Sequence, residues 1–327
     1  MEKLVKTEGE ESSLHKLLNH KFSPKELIFL FALIVCLLPF ISAPIALLIG
    51  IILAQFIGQP YPKLQQKATH FLLQVSVVGL GFGMQISSAL KVGKDGIAFT
   101  VVSIVGILII GYFLGKLLKI EKKTSYLIAA GTAICGGSAI AAISPVIRAS
   151  EKPISVALGT IFILNALALW IFPWLGNLLH LSQSQFGIWC ALAIHDTSSV
   201  VGAAGVYGTE ALEIATTVKL ARALWIIPLA FISTFIFKNK GAKVKIPYFI
   251  GLFVLAMVAN SYIPFVQAYH HYAVALAKTG LTVTLFLIGC GLNFKVLKTV
   301  GFKPLVQGVL LWVVMAVATL WTILYIG

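Results

Sequence analysis

The chain has 327 residues, of which 59% are hydrophobic and only 11% are charged, and its mean hydropathy is +0.97. In soluble domains about a quarter of all residues are charged, so this composition excludes an ordinary soluble protein and indicates an integral membrane protein. A spanning helix needs about 20 apolar residues, so the length leaves room for about ten or eleven spans and for no sizeable soluble domain. The net charge of +14 collects in short segments between apolar runs, which is typical of topology signals and lipid contacts and does not indicate nucleic-acid binding.

Residues 1–26 carry both charge signs and precede the first apolar run, so we expect a cytoplasmic tail followed by a single transmembrane transporter domain over residues 27–327. Proline interrupts helix hydrogen bonding, so Pro39 and the turn Ser42–Pro44 predict two short helices rather than one long one at the start. The predicted spans are 27–41, 43–58, 66–86, 97–118, 124–147, 154–178, 185–206, 211–237, 247–264, 268–291 and 303–326.

Positive charges test this arrangement, because lysine and arginine concentrate on the cytoplasmic side of membrane proteins. With eleven spans and a cytoplasmic N-terminus, eighteen of the 25 cations lie inside, and three fall within spans. The four predicted to lie outside are Lys91, Lys94, Arg148 and Lys152. This balance predicts a multi-pass protein with its N-terminus in the cytoplasm and its C-terminus on the other side.

The sequence contains internal repeats, which in transporters often indicate where the binding site lies. At an offset of 208 residues, the segment beginning at Leu80 matches the one beginning at Ile288 in spans of opposite direction, which indicates an inverted repeat. The matched pairs are Gly81 with Gly289, Gly83 with Gly291, Gln85 with Asn293, and Gly93 with Gly301. A second, weaker match at an offset of 60 sets 134–142 against 194–202, and these two spans are parallel in the predicted topology.

The segment GTAICGGSAIAAISP predicts a break in the fifth span at Gly136 and Gly137, with Ser138 following. Adjacent glycines inside a span either permit close helix packing or mark an unwound point at which a cavity is lined by backbone. Glycine-interrupted spans occur at transporter sites, so we interpret this segment as a candidate substrate site.

The segment AIHDTSSVVGAAGVYG carries Asp196, the only carboxylate well inside an apolar run, next to His195. A carboxylate in the membrane is costly and is therefore a functional candidate by default. The pair could relay protons. Alternatively, Asp196 could be the N-cap of a half-helix whose first turn holds Thr197, Ser198 and Ser199, and such an N-terminus also suits an anion.

Five further polar residues are candidates because they lie in or beside predicted spans. Lys219 and Arg222 lie three residues apart on one helix face and form either a structural pair or, because arginine binds oxyanions bidentately, an anion site. Lys278 precedes Gly280 and either snorkels or joins the site, and Asn293 ends the same segment. Asn165 in the sixth span is expected to form a helix-packing hydrogen bond.

Motifs for other chemistry are lacking in the sequence. No P-loop, GxSxG elbow, HExxH or dinucleotide fingerprint occurs, and the four cysteines have no ligand spacing. We therefore expect no cofactor, no metal site and no enzymatic activity. An intramembrane enzyme using Cys135 with His195 is the remote alternative, because the two residues are equivalent in the weaker repeat.

These segments resemble a known family, the YeiH-type bacterial inner-membrane proteins, whose members are described as sulfate exporters. The resemblance covers nearly the whole chain after the tail and rests on five segments. They are GLGFGMQIS (79–87), GTAICGGSAIAAISPVI (131–147), HDTSSVVGAAGVYG (195–208), VKLARALWIIP (218–228) and LFLIGCGLNF (285–294). It implies a bacterial inner-membrane location and a relation to cation/proton antiporters and bile-acid symporters. The implied fold is all-α, with inverted repeats and discontinuous helices that cross near the midplane.

The leading hypothesis is a secondary transporter that exports a small anion such as sulfate or a sulfonate. The half-helix N-termini at Gly136–Ser138 and Thr197–Ser199 would bind the anion, with added positive charge from Lys219, Arg222 or Lys278. His195 and Asp196 would couple transport to protons. The alternative is a cation/proton antiporter in which Asp196 holds the ion. Membrane lipid, the anion and a second copy in a homodimer are the expected partners.

Overall fold

The computed structural model describes residues 23–38, 41–237, 248–292 and 300–325, and every regular element in these ranges is an α-helix. The prediction of an all-α polytopic membrane protein is thereby confirmed. The helices are α1 Pro24–Val35, α2 Ala43–Phe56, α3 Pro62–Gly81, α4 Ile86–Leu117, α5 Lys122–Ala133, α6 Gly137–Val146, α7 Glu151–Leu178, α8 Gln183–Ala193, α9 Thr197–Tyr207, α10 Thr209–Ala223, α11 Ile226–Ile236, α12 Tyr248–Tyr262, α13 Pro264–Gly291 and α14 Phe302–Tyr325.

Five of the described helical segments are long and apolar enough to cross a membrane by themselves. They are 99–117 within α4, α7, the consecutive helices α10 and α11, α13, and α14. Shorter apolar helices include α2 and α6. The described helices therefore include both segments long enough to cross a membrane and helices of 10 to 12 residues that are too short to cross it alone.

Local sequence sets several helix starts. Ser23 accepts a hydrogen bond from the backbone N–H of Glu26, whose side chain accepts one from the Ser23 N–H in return, and Pro24 occupies the first turn of α1. Ser182 and Gln185 form the same capping box at the start of α8. Helices α1 and α2 are separate, as the proline-rich interruption predicts.

Helices α5 and α6 form a hairpin, because the two ends of this segment lie together. The Nζ of Lys123, at the start of α5, donates to the carbonyl oxygen of Arg148, just beyond α6, at 2.6 Å. Collinear helices would hold these residues more than about 30 Å apart at a rise of 1.5 Å per residue. Within the hairpin, a Cβ at Gly131 would contact Ile140, so glycine permits close approach of the arms.

Helices α8 and α9 form a second hairpin of the same kind. The hydroxyl of Tyr207, at the end of α9, donates to the carbonyl oxygen of Leu181, which precedes α8, at 2.6 Å. The rings of Phe186 and Tyr207 stack with centroids 3.8 Å apart. Gln183 then accepts a hydrogen bond from the backbone N–H of Glu210, which ties the start of α10 to the same end.

The breaks therefore lie at the predicted positions, but the second arm of each segment returns instead of continuing across. The sequence predicts 124–147 and 185–206 as the fifth and seventh spans. Each arm has 10 to 12 residues and is about 15 to 18 Å long, roughly half of a 30 Å hydrocarbon core. The two segments therefore fold as helical hairpins with the dimensions of re-entrant segments, in place of the discontinuous crossing helices that the family resemblance implies.

Helices related by the two sequence repeats make equivalent contacts. The offset of 208 relates α2, α3 and α4 to α12, α13 and α14, and α2 packs on α13 just as α12 packs on α3. The offset of 60 relates one hairpin to the other, and α4 packs on α5 just as α14 packs on α8. Each of these segments is a hairpin, and one span, α7, lies between them in the chain. The two hairpins therefore open toward opposite sides, so the weaker match also relates inverted elements.

Two glycines matched by the repeat make counterpart contacts. A Cβ at Gly81 would lie 2.8 Å from the carbonyl oxygen of Phe253 in α12. A Cβ at Gly289 would meet the backbone of Leu47 in α2. Small residues allow helix backbones to approach closely in membranes, so this repeated glycine permits close helix packing in both halves.

The hairpins predict an accessibility pattern that separates them from two full spans. We expect cysteines placed at Glu121 and Ser150 to react with a membrane-impermeant thiol reagent from one side, and cysteines at Leu179 and Glu210 from the other. All four native cysteines are buried, so background labelling is low. Labelling of positions 121 and 150 from opposite sides in intact cells and inverted vesicles would contradict the hairpin.

Candidate functional site

The tip of the first hairpin is a turn at Gly136 that only glycine adopts readily. Its φ of +61° and ψ of −121° lie outside the regions open to residues with a Cβ. A Cβ there would lie 3.1 Å from Ile161 and 3.3 Å from the Cβ of Asp196. The first tip therefore contacts the second hairpin directly at the residue that sequence analysis marked as most unusual.

The tip of the second hairpin is organised by Asp196, which is the N-cap of α9 as one of the two interpretations predicts. Its Oδ1 accepts hydrogen bonds from the backbone N–H of Ser199 at 2.6 Å and from the hydroxyl of Ser198 at 3.0 Å. Its Oδ2 accepts one from the amide Nδ2 of Asn165 at 2.7 Å. The carboxylate is buried, and three donors satisfy it.

Asn165 connects α7 to the same tip through both ends of its amide. Besides donating to Asp196, its Oδ1 accepts the backbone N–H of His195 at 3.1 Å. The sequence predicts only a packing hydrogen bond for Asn165, which is not among the predicted site residues. The signal that identifies it is an isolated amide within an apolar span, which needs a polar partner in the membrane.

Lys219 and Arg222 of α10 lie at the tips, as predicted, but their hydrogen bonds go to helix ends. The Nζ of Lys219 donates to the carbonyl oxygens of Ala191 at 3.3 Å and Ile194 at 2.6 Å, at the end of α8. The Nε of Arg222 donates to the carbonyl oxygen of Ala133 at the end of α5, at 2.8 Å.

The second hydrogen bond of the guanidinium joins the hairpins to each other. Nη1 of Arg222 donates to the carbonyl oxygen of Leu192 at 2.9 Å, so one side chain holds the ends of both α5 and α8. Cations suit helix C-termini, where unpaired carbonyls form the negative end of the dipole. The two buried cations therefore fasten both hairpin tips to α10.

Several buried polar atoms at this level have no hydrogen-bond partner among the described residues. They are both ring nitrogens of His195, Nη2 of Arg222 and the hydroxyl of Thr132. His195 and Arg222 are each 1% exposed. Unpaired buried polar groups are rare in native proteins because each costs about 1 to 3 kcal/mol, so they indicate a place for water or a ligand.

The two returning arms begin differently. The N-terminus of α9 is covered by the Asp196 carboxylate, whereas α6 begins at Gly136 with no side-chain cap. Gly137 is half-buried and Ser138 is exposed, so the first turn of α6 is open. Backbone N–H groups at a free helix N-terminus favour an anion, and only the α6 end offers them here.

Lys278 lies apart from the tips. It is exposed on α13, where its positive charge interacts electrostatically with the carboxylate of Glu213 in α10. Neither residue contacts the polar groups of the hairpin tips through a described hydrogen bond, so the expectation that Lys278 adds charge to the site gains no support. Asn293 lies outside the described residues.

The fold and its buried polar tips define a class: a polytopic all-α membrane protein built around two re-entrant hairpins. The chain matches the model of the family described as conserved hypothetical protein 698 over residues 27–308, and it belongs to that family. This confirms the resemblance seen in the sequence.

Three curated relatives that carry the name UPF0324 membrane protein are similar along most of their length. One from Bacteroides thetaiotaomicron is 58% identical over 285 residues, which is 86% of each chain. One from Bdellovibrio bacteriovorus is 52% identical and covers 90% of this chain and 93% of its own. One from Vibrio parahaemolyticus is 50% identical, over 94% of this chain and 100% of its own.

No solved structure matches the chain significantly. The names of the relatives establish a membrane protein and state no substrate. The relation to cation/proton antiporters that the family resemblance implies is not supported by these comparisons.

Proposed function

We propose that the protein is a secondary transporter of a small anion such as sulfate or a sulfonate, working as an exporter, with its substrate site where the two hairpin tips meet. The observation that carries this proposal is the open N-terminus of α6 beside a buried cluster with excess positive charge. Broken helices whose termini face a mid-membrane site are a recurrent feature of secondary transporters.

Charge accounting at the tips favours an anion. Each helix end carries about half a unit charge, so the two N-termini and two C-termini at the tips cancel to about zero. Lys219 and Arg222 are buried beside Asp196, which is the only carboxylate among the buried side chains of the described residues. In their ionised forms these three groups leave an excess of about one positive charge, which attracts an anion.

The cation/proton antiporter is a weaker reading of the same residues. Asp196 already accepts hydrogen bonds from Ser198, Ser199 and Asn165, so its oxygens are engaged by donors and not open to a metal cation. The adjacent cationic side chains also repel a cation. Enzymatic chemistry is not part of the proposal, because Cys135 and His195 have no accompanying oxyanion site in the sequence motifs.

Proton coupling is assigned to His195 with Asp196. The His195 ring is buried and unpaired among the described residues, and its backbone N–H shares Asn165 with the carboxylate. A proton on this ring adds positive charge beside the site and strengthens anion binding.

The hairpins also strengthen the proposed orientation. Both ends of the first hairpin then lie on the cytoplasmic side, which moves Arg148 and Lys152 from outside to inside. Only Lys91 and Lys94 remain outside, and the cytoplasmic cations rise to twenty. The parity of crossings is unchanged, so the proposed N-terminus stays in the cytoplasm and the C-terminus stays outside.

Ligand-dependent thermal stabilisation of the purified full-length protein tests the anion site. We expect sodium sulfate or an alkyl sulfonate to raise the melting temperature by about 2 to 5 °C near saturation, because a ligand of the folded state stabilises by mass action. Ser138→Asp should lose this shift, since a carboxylate in the first turn of α6 occupies the anion position while suiting the helix dipole.

Ser138→Asn is the matched control, because it adds similar volume without charge and should keep the response. The proposal fails if sodium or lithium chloride gives the same shift as sulfate, or if Ser138→Asp responds like the unmodified protein.

A further inference from the structure

A long apolar groove of about 790 Å³ lies between α4, α5 and α11. Its lining includes Val105 and Tyr112 of α4, Ala129 of α5, and Ile232 of α11. At one end stand the side chains of two lysines, Lys116 and Lys122. The described residues that line it include no carboxylate.

The groove has the dimensions and exposure of a site for an acyl chain. Its lining runs along α4 from Val101 to Lys116, about 22 Å at the helical rise, whereas one leaflet of the hydrocarbon core is about 15 Å thick. Tyr112 is 58% exposed and Ile232 is 51% exposed, so the groove opens on the lipid-facing surface. Membrane lipid is therefore the material in direct contact with it.

The inverted counterpart of the groove is filled by side chains of the chain itself. Between α7, α8 and α14, the ring of Phe172 lies 4.3 Å from that of Trp189 and 5.9 Å from that of Trp312. The repeat offsets of 60 and 208 place Ala129 at the position of Trp189 and Ile104 at that of Trp312. Smaller residues at both positions leave the space open in one half of the molecule only.

The lysines give the groove a polar end that a phospholipid headgroup fits. Lys116 is exposed at the end of α4, and Lys122 is exposed at the start of α5, where its Nζ lies 5.0 Å from the centre of the Phe237 ring. Basic pockets between membrane helices bind anionic headgroups, and a long apolar tail below them matches the attached chain.

We propose that this groove is a binding site for an anionic phospholipid, with one acyl chain between α4, α5 and α11 and the headgroup phosphate at Lys116 and Lys122. The lipid supplies the packing that Trp189 and Trp312 supply in the other half. It links the first arm of the first hairpin to α11, so its binding stabilises the hairpin. This proposal is independent of the substrate.

Native mass spectrometry of the delipidated full-length protein, titrated with phosphatidylglycerol or phosphatidylcholine, tests the site. We expect one tightly bound phosphatidylglycerol and a clear preference over phosphatidylcholine. Replacing Lys116 and Lys122 together by alanine should reduce that preference by about 30-fold. Replacing the exposed lysines Lys152 and Lys303 together is the control and should leave it unchanged.

A second pair of variants tests the groove itself. Leu108→Trp fills it from a half-buried lining position, and we expect loss of the bound lipid. Val102→Trp places the same ring on the 70% exposed face of α4, outside the groove, and should retain it. Equal binding of both lipids, or a bound phosphatidylglycerol that survives Leu108→Trp and the double lysine substitution, overturns the proposal.

Discussion

Replacing Arg222 by alanine is expected to lower the free energy of unfolding by about 4 kcal/mol. The substitution leaves the carbonyl oxygens of Ala133 and Leu192 without their donor at buried helix ends, and each unpaired group costs about 1 to 3 kcal/mol. It also removes a side chain that donates to the ends of both hairpins. The measurement is denaturant or thermal unfolding of the purified protein in detergent.

Arg222→Lys separates charge from geometry. A lysine keeps the positive charge beside the helix ends but has a single head that cannot replace both the Nε and the Nη1 hydrogen bonds. We expect it to recover only about half of the lost stability. Lys278→Ala is the control, because an exposed lysine away from the tips should change stability by less than about 0.5 kcal/mol. An Arg222→Ala variant as stable as that control would exclude the fastening role.

Local composition was sufficient to predict where the helices break. A continuous membrane helix is destabilised by adjacent glycines, as at 136 and 137, and by a lone carboxylate, as at 196. Such residues therefore indicate a break in the helix. The structure has its tips there, at Gly136 and Asp196. The isolated carboxylate left two interpretations open, a proton relay with His195 and an N-cap of the helix that follows, and the structure shows Asp196 as that N-cap.

The direction of the second arm could not be read from that composition. A segment that turns back and one that continues across have the same apolar pattern, because both arms are buried helices. The return depends on distant contacts, such as Lys123 with the carbonyl of Arg148 and Tyr207 with that of Leu181. The positive charges did carry a signal of the return. Arg148 and Lys152 are two of the four cations that the eleven-span topology places outside.

The roles of Lys219 and Arg222 were also only partly predictable. Their spacing indicated one helix face directed at a polar site, and both are indeed buried at the hairpin tips. Their partners are backbone carbonyls of α5 and α8, which no pattern of side chains in the sequence can reveal. The sequence alone cannot distinguish a cation that binds a helix C-terminus from a cation that binds an anion.

Asp196→Ala is the second substitution with a large expected effect, a loss of about 3 kcal/mol in the free energy of unfolding. It removes the N-cap of α9, which is worth about 0.5 to 2 kcal/mol, and leaves the Asn165 amide without its buried acceptor, which costs about 1 to 3 kcal/mol. The measurement is the same unfolding experiment, with Glu210→Ala at an exposed position as control.

An exchange of the two residues separates this structural role from proton coupling. Asp196→Asn alone sets the new amide against the Nδ2 of Asn165, so two donors face each other and stability falls. Combining it with Asn165→Asp restores one donor and one acceptor, and position 165 still accepts the backbone N–H of His195. We expect the double variant to regain most of the stability. Because it moves the carboxylate from α9 to α7, pH-dependent anion uptake into lipid vesicles should remain impaired. Full recovery of that uptake would mean that the carboxylate only holds the tip together and takes no part in coupling.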